Sequence, residues 1–546
     1  LAHLAAERSA GRGGWRTISR AVRRALASAP AASPPCGVFS PDSLAFRRAV
    51  LVLLCSAAAV FVGYQIPEAP IFALLVIGLA VYLLTLTVNY QWCAWLIVAT
   101  APSAFIIPML PGRPFLWEAL ALAAWPSLVA HFAAQRPRLE DIRLGPEATR
   151  AMLWLLLYGL TLVAVMMVRG VGFRVFGGEQ MGGRYYLQQI LLFILPLLCL
   201  SGTWRERGVL TAYFTGAALT VTYLVSDLAL LYGGQGAGFL LTFLEVPTDA
   251  VNFYVGFEYT GLRRLQSLAF VGSSLLLVVL ILVPLREALG RKAFFALPWM
   301  FGALALGLAS GHRTVLVQTF LTVLVLGYYQ RIYTPRRVLL LLTMATALVG
   351  GLVKFSEDLP IGVQRAISVL PGVKVDAVAA ADATATLRDR IEVLKLGIQD
   401  VPRYLWIGRG YGLERLDRIR TGGADDAIYT YYVNGYFANG TFGVLIKTGL
   451  VGFVAAGGFL FYVSRAAVRL ARLVRDRPDE EQDLFDRFSQ LIAAQWFSVM
   501  LFYLLLHGEA GVFMQTFALP SALIFLSLRL QRERAEQRAA SAPAAA

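Results

Sequence analysis

A few arginines and histidines stand where an apolar chain least accommodates them. Arg263 and Arg264 (GLRRLQS) directly precede an apolar stretch. His312 and Arg313 (SGHRTV) directly precede another. Arg388, Asp389 and Arg390 fall together in the polar stretch LRDRIEV. A helix start already carries partial positive charge, so arginines there oppose the helix dipole. Left unpaired at a membrane edge they are costly. Beside the free N–H groups of a helix start, the same arginines make an anion site. Guanidinium suits bidentate contact with phosphate. The chemistry these residues fit is therefore the binding of a phosphate or diphosphate. His312 or His507 could act as general base for a hydroxyl. Plainer roles compete. The arginines can pair with Glu258, Asp389 or Glu509, or snorkel to lipid headgroups. Each histidine taken alone reads more simply as a polar turn residue. Tyr429, Tyr431, Tyr432 and Tyr436 can stack on sugar rings or form an interfacial aromatic belt.

The elements that must position these residues are apolar. Of 546 residues, 58% are hydrophobic and 15% charged, and mean hydropathy is +0.63. A soluble domain is nearer half apolar and a quarter charged. A soluble enzyme, a disordered chain and a disulfide scaffold are excluded on these numbers. Segments of about 20 apolar residues recur, each long enough to cross a bilayer. They fall near 48–64, 70–88, 92–110, 115–134, 151–168, 186–202, 208–232, 266–285, 293–310, 312–329, 337–354, 439–463, 488–507 and 509–528. The expectation is an all-α polytopic membrane protein of about 14 transmembrane helices, 12 at the low end. Pro102, Pro108 and Pro126 interrupt the second to fourth of these.

The 49 Lys+Arg against 34 Asp+Glu give a net charge of +15. In a membrane protein this excess anchors cytoplasmic loops to anionic lipid and does not imply nucleic acid. With the basic N-terminus inside, Arg136–Arg143, Arg205–Arg207, Arg286–Lys292, Arg331–Arg337, Arg465–Arg477 and Arg529–Arg538 all fall inside, as the positive-inside bias requires. Residues 1–47 then form a cytoplasmic tail and 48–354 a transmembrane bundle. A large outer loop covers 355–438, a C-terminal helical group 439–528, and a second cytoplasmic tail 529–546. The first apolar run reads as a retained span, not a signal peptide. In the outer loop Leu387, Ile391, Leu394 and Ile398 share one helical face. Thr386 and Asp389 resemble a capping box that would start the helix. An amphipathic helix on the outer membrane surface is expected there.

Familiar nucleotide and hydrolase motifs are absent in fitting contexts. The GRGYG of Gly408–Gly412 reads as a turn. Cys36, Cys55, Cys93 and Cys199 form no CxxC pair, so neither a metal nor a disulfide framework is expected.

Four segments resemble the O-antigen ligase and polymerase family. Leu387–Gly412 (LRDRIEVLKLGIQDVPRYLWIGRGYG) resembles the family stretch in which an arginine opens a helix that ends in proline, an apolar pair and a glycine-rich turn. Ala438–Phe453 (ANGTFGVLIKTGLVGF) resembles its His-Asn segment with a following Glu-x-Gly-Leu-x-Gly pattern. Ser310–Val315 and Leu262–Ser274 resemble its two arginine-bearing helix entries. The matches span roughly the C-terminal half, in the family's order. The resemblance implies a GT-C-like membrane glycosyltransferase in the inner membrane, with both termini cytoplasmic and the site on the outer face. Such an enzyme moves a glycan from undecaprenyl diphosphate to an acceptor hydroxyl on a glycan or lipid, with no metal and no cofactor. Arg313, Arg388 and one of Arg263 or Arg264 fall on the family's arginine positions, and Arg390 adds a further diphosphate contact. One departure stands out: the family's His is Ala438 here, and its Glu is Lys447. This leans toward a polymerase over a ligase and leaves the base to His312 or Asp389. Partners would be the lipid-linked donor, the acceptor, membrane lipids and components of a polysaccharide export system. The rival reading is a lipid-linked oligosaccharide flippase or export transporter. Its short loops and deep charges fit this chain less well.

Overall fold

The computed structural model describes residues 90–108, 113–135, 145–171, 182–197, 204–232, 237–245, 265–368, 370, 372–412, 427–477 and 481–541. All fall in the unit that runs from Thr85 to Ala546. Among them the regular structure is helical, with only the isolated bridges Phe105–Leu244 and Ile106–Phe115 between extended residues. The helices of seven residues or more, in order, are α1 (Tyr90–Thr100), α2 (Leu116–Gln135), α3 (Pro146–Arg169), α4 (Gly183–Leu192), α5 (Glu206–Leu219) and α6 (Val221–Tyr232). They continue with α7 (Gln266–Leu282), α8 (Ala293–Ala309), α9 (Arg313–Tyr329), α10 (Pro335–Lys354) and α11 (Ile361–Ile367). The last are α12 (Ala377–Tyr404), α13 (Ala427–Asn434), α14 (Gly440–Arg475), α15 (Leu484–Leu505) and α16 (Phe513–Ser541).

Among the described residues, six helical stretches are long and apolar enough to cross a membrane: Pro146–Arg169, Glu206–Tyr232, Pro335–Lys354, Gly440–Arg475, Leu484–Leu505 and Ala510–Arg538. Four shorter apolar helices accompany them. The expected spans at 48–64 and 70–88, and the tail 1–47, lie outside the described residues. Two expected spans are corrected. The segment 92–110 is helical only to Thr100. Beyond Pro102 the chain becomes extended, and Phe105 and Ile106 bridge to Leu244 and Phe115. Proline lacks the N–H that would continue the helix. The segment 186–202 begins as α4, which stops at Phe193 and is followed by the single turn Ile194–Leu197.

The helix boundary expected at Thr386 is also corrected. α12 starts ten residues earlier, where the Asp376 carboxylate accepts from the Val378 N–H at 2.8 Å. Thr386 lies inside the helix and its hydroxyl donates to the Asp382 carbonyl. The predicted apolar face exists, but Leu387, Ile391 and Ile398 are exposed. The opposite face, with Val393, Gly397 and Tyr404, is buried. Val393 joins a small core with Tyr432, Val433, Phe437 and Ile446, which docks α12 onto α13 and α14.

α14 is the most constrained helix. Asn439 caps it by accepting from the Phe442 N–H at 3.0 Å. At Gly449 the backbone turns to φ 72°, ψ −177°, and the helical ladder breaks. Polar backbone in an apolar bundle has to find partners. The segment Leu405–Gly410 supplies them. The Arg409 N–H donates to the Ile446 carbonyl at 2.8 Å and the Gly410 N–H to the Lys447 carbonyl at 2.9 Å. In return the Leu450 N–H donates to the Leu405 carbonyl at 2.6 Å. Two glycines permit this approach. A Cβ on Gly449 would meet the Trp406 carbonyl oxygen at 2.5 Å, and one on Gly408, itself at φ +71°, the Lys447 carbonyl oxygen at 2.5 Å.

The basic loops gather at one end of the bundle. There Asp486, fully buried, accepts from Arg477 at 2.6 Å and Gln531 at 2.7 Å, with Arg534 at 3.5 Å. Arg534 also engages Glu206 and Asp483. Arg331 faces Asp476, and Arg487 donates to the Leu282 carbonyl. The expected grouping of 205–207, 286–292, 331–337, 465–477 and 529–538 on one side matches this clustering. Because Arg475 lies over the Tyr328 ring, α9 ends where α14 ends. The Thr441 hydroxyl donates to the Leu504 carbonyl, so α14 begins where α15 ends. The 310–312 turn therefore sits at the opposite end, with the start of α14.

Burial tends to raise the Asp483 carboxyl, but hydrogen bonds from Arg534 and from the Asp486 and Phe485 N–H groups prevail and hold it below its ordinary value. Its stabilisation is present above the unfolded carboxylate pKa and is lost as pH falls through the lowered one. Asp486→Ala is expected to cost about 3 kcal/mol, because it removes the carboxylate that pairs with the half-buried Arg477 and accepts from the buried Gln531. Thermal unfolding of the detergent-purified protein should show a lower midpoint for this variant, and for the wild type a loss of stability on acidification below the usual carboxylate range.

Candidate functional site

α8 and α9 are joined by a three-residue turn, Ser310–Gly311–His312. Gly311 takes φ +74°, a conformation that a side chain would strain. The Ser310 hydroxyl donates to the Gly307 carbonyl at 2.6 Å and accepts from the His312 N–H at 3.1 Å. His312 stands at the N-cap without capping through its side chain, and Arg313 opens α9. Both are half-buried. The first N–H groups of α9 have no partner within the helix, as at any helix start.

The residue that anchors this turn is Arg365, which the sequence reading missed. α11 carries it. Val363, Ala366 and Ile367 of α11 pack against Leu308, Leu304 and Leu316. That packing buries Arg365 to 5% exposure. Its guanidinium donates to the Gly311 carbonyl at 2.9 Å, to the Thr386 hydroxyl at 3.4 Å, and forms an ion pair with Asp382. One side chain thus holds the His312–Arg313 helix start against the first half of α12. The available signal was an arginine in the short, mostly apolar stretch IGVQRAI that follows Pro360. It was passed over because it opens no long apolar span.

The remaining expected residues divide on α12. Asp382, Thr386 and Arg390 follow at four-residue intervals, which places them along one side. Asp389 and Arg390 are half-buried. Arg388 lies on the outer flank, its side chain 75% exposed and paired with Glu392 at 3.3 Å. Arg263 and Arg264 lie outside the described residues. Through Arg365 the structure joins the turn before Arg313 to the Asp382–Thr386 stretch of α12, about one helical turn before Asp389 and Arg390, and it leaves Arg388 exposed.

A second polar group sits at the break in α14. Lys447 is fully buried. Its ammonium donates to the Val433 carbonyl at 2.5 Å and lies 5.6 Å from the Tyr411 ring centre. Arg409 stacks over Tyr432 at 5.2 Å. The Tyr186 hydroxyl accepts from the Tyr411 N–H at 2.9 Å, and the Tyr411 hydroxyl donates to the Ala510 carbonyl at 2.8 Å. Arg169 reaches the Gly408 carbonyl at 3.0 Å. The glycine-rich segment is a turn, as expected, and it also carries these contacts. Of the four singled-out tyrosines, Tyr432 is buried and donates to Asp400, Tyr436 meets the Tyr185 hydroxyl at 3.4 Å, and Tyr431 is exposed. Burial first, and then the hydrogen bond to Asp400, push the Tyr432 hydroxyl far above its ordinary value, so it stays protonated. His507 follows α15, with its N–H on the Phe502 carbonyl and its ring against Phe502.

This end carries arginines, carboxylates and tyrosines together, with Arg365 paired to Asp382, Arg388 to Glu392 and Arg409 over Tyr432. Such a set can hold an anion and lay a sugar ring on a tyrosine. Among the described residues, no three of His, Cys, Asp and Glu gather as a metal set. Compared with models of known protein families and with curated proteins, the sequence matches none.

Arg365→Ala should cost about 3 kcal/mol or more, since it leaves Asp382 and the Gly311 carbonyl without their donor. Combined with Asp382→Ala, the loss should be smaller than the sum by about 1–3 kcal/mol. A double-mutant cycle on unfolding in mild denaturant checks the coupling; strict additivity would mean the pair does not hold the junction.

Proposed function

We propose that this chain is a membrane glycosyltransferase that polymerises or ligates glycan units carried on a polyprenyl diphosphate, acting at the outer face of the bacterial inner membrane. One observation carries the reading. The buried Arg365 side chain ties the turn before Arg313 to the Asp382–Thr386 stretch of α12, about one helical turn before Asp389 and Arg390. These are two of the three segments whose arginines match the ligase and polymerase resemblance. Their meeting at the bundle end away from the Asp486–Arg534 network supports an outward site, because basic loops favour the cytoplasmic side.

In this reading the diphosphate of the donor lies against Arg313, Arg390 and the first-turn N–H groups of α9. The acceptor hydroxyl attacks the anomeric carbon, and the bond from that carbon to the diphosphate oxygen breaks. Negative charge grows on the leaving diphosphate, and arginines already fixed in place stabilise it there more than in the ground state. The hydroxyl proton passes to His312 or Asp389. Attack from the face opposite the leaving group inverts the anomeric centre. The exposed Leu387, Ile391 and Ile398 face of α12 suits contact with the membrane surface, where such a donor resides.

The test is turnover by purified protein. With a labelled polyprenyl-diphosphate-linked oligosaccharide, the wild type should release polyprenyl diphosphate and extend the acceptor. Arg313→Ala and Arg390→Ala should each lower the rate by about 10²–10³-fold, whereas Arg388→Ala should stay within a few-fold. Full activity in the Arg313 variant would sink the assignment.

A further inference from the structure

The other end of the bundle carries a different feature. The last turns of α14 leave one side uncovered. Phe461, Arg465, Arg469 and Arg472 are exposed along it, at the four- and three-residue spacing of a single helical face. With Phe497 of α15 and Glu147 of α3, they line an open groove of about 490 Å³. Phe461 and Phe497 lie toward the apolar part of α14, and the arginines lie toward the end where the basic loops gather.

The charges in the groove do not cancel. Glu147 accepts both oxygens' worth of contact from Arg469, at 3.0 and 3.1 Å, and also faces Arg532 at 3.5 Å. Asp476, at the mouth, faces Arg331 at 3.8 Å. Both carboxylates are thus engaged by arginines other than Arg465 and Arg472, which form no ion pair among the described residues. These two stand seven residues apart, about 10 Å along the helix. Two unmatched guanidinium groups above an aromatic, apolar wall call for a ligand with an anionic head and an apolar body. A free anion would leave the Phe461 wall unused, and a zwitterionic lipid brings its own cation to the arginines.

We propose that this groove holds an anionic diacyl phospholipid, with its phosphate between Arg465 and Arg472 and its acyl chains along Phe461 and Phe497. Guanidinium binds a phosphate diester through paired N–H donors, and basic pockets between spans on the cytoplasmic side take anionic lipid heads. A lipid seated there would brace α14 and α15 at the end away from the proposed chemistry.

The experiment is native mass spectrometry of the detergent-purified full chain, titrated with phosphatidylglycerol or phosphatidylcholine of the same acyl chains. The wild type should retain the anionic lipid at least about tenfold better. The Arg465→Gln/Arg472→Gln variant should lose that preference, and Arg465→Lys/Arg472→Lys should keep most of it. Both residues are exposed and unpaired, so the variants should unfold at the wild-type midpoint without lipid. Millimolar inorganic phosphate should not displace the bound lipid. Equal retention of the two lipids by the wild type, undiminished preference in the glutamine variant, or displacement by phosphate overturns the proposal. Glycan transfer plays no part in this readout, so its outcome is independent of the proposed activity.

Discussion

A backbone polar group without a partner is the most expensive item an apolar bundle can contain. At Gly449 this chain opens such a gap in the middle of a helix, and much of the bundle end is arranged around closing it. The Leu405–Gly410 turn reaches in and replaces the missing ladder bonds of Ile446, Lys447 and Leu450. That exchange fixes the end of α12 relative to α14. It carries Arg409 and Tyr411 into the interior and brings Tyr186 and Arg169 against the same turn. Gly408 and Gly449 are needed because the two backbones touch where a Cβ would stand.

The other end of α12 is held by a different interaction. Near Tyr404 the lock is made of backbone hydrogen bonds and an aromatic core. Near Asp382 it is made of the buried Arg365 guanidinium, which needs three partners to justify its desolvation. It finds one on the α8–α9 turn and two on α12. With both ends fixed, α12 cannot slide along the bundle, and its Asp382–Thr386 stretch stays against the α8–α9 turn. Rigidity of this kind is what an anion site needs, because charges held in place do not have to reorganise when a leaving group develops charge.

Much of the architecture was legible in the residues. The apolar segments from 115 onward, other than 186–202, correspond to helices, among them the α5–α6 pair and the broken α14, and the basic loops do share one end. These properties depend on hydrophobicity and charge, which each residue carries regardless of its neighbours. The failures are equally local. At Pro102 the chain lost a helix that hydropathy alone would extend. At Thr386 a good capping pattern was overridden, because Asp376 caps earlier and the intervening alanines propagate the helix readily. Of the site, the His312–Arg313 helix start was visible as an arginine placed against the dipole. The separation of Arg390 from Arg388 was not. Two residues along a helix turn a side chain by about 200°, and only the docked face decides which one is left exposed.

By itself, the sequence determined the solvent, the helical class and the end to which the basic loops belong, since transfer free energy and charge are additive along a chain. It also marked the Gly408–Gly412 turn and Arg313 without saying what they meet. Tertiary structure decided that a turn from one segment would mend a helix in another, and that Arg365 would join α9 to α12. It also left Arg465 and Arg472 facing an uncovered groove. Each of these depends on contact between residues far apart in the chain, and such contacts are selected by the packing of whole helices, not by any local preference.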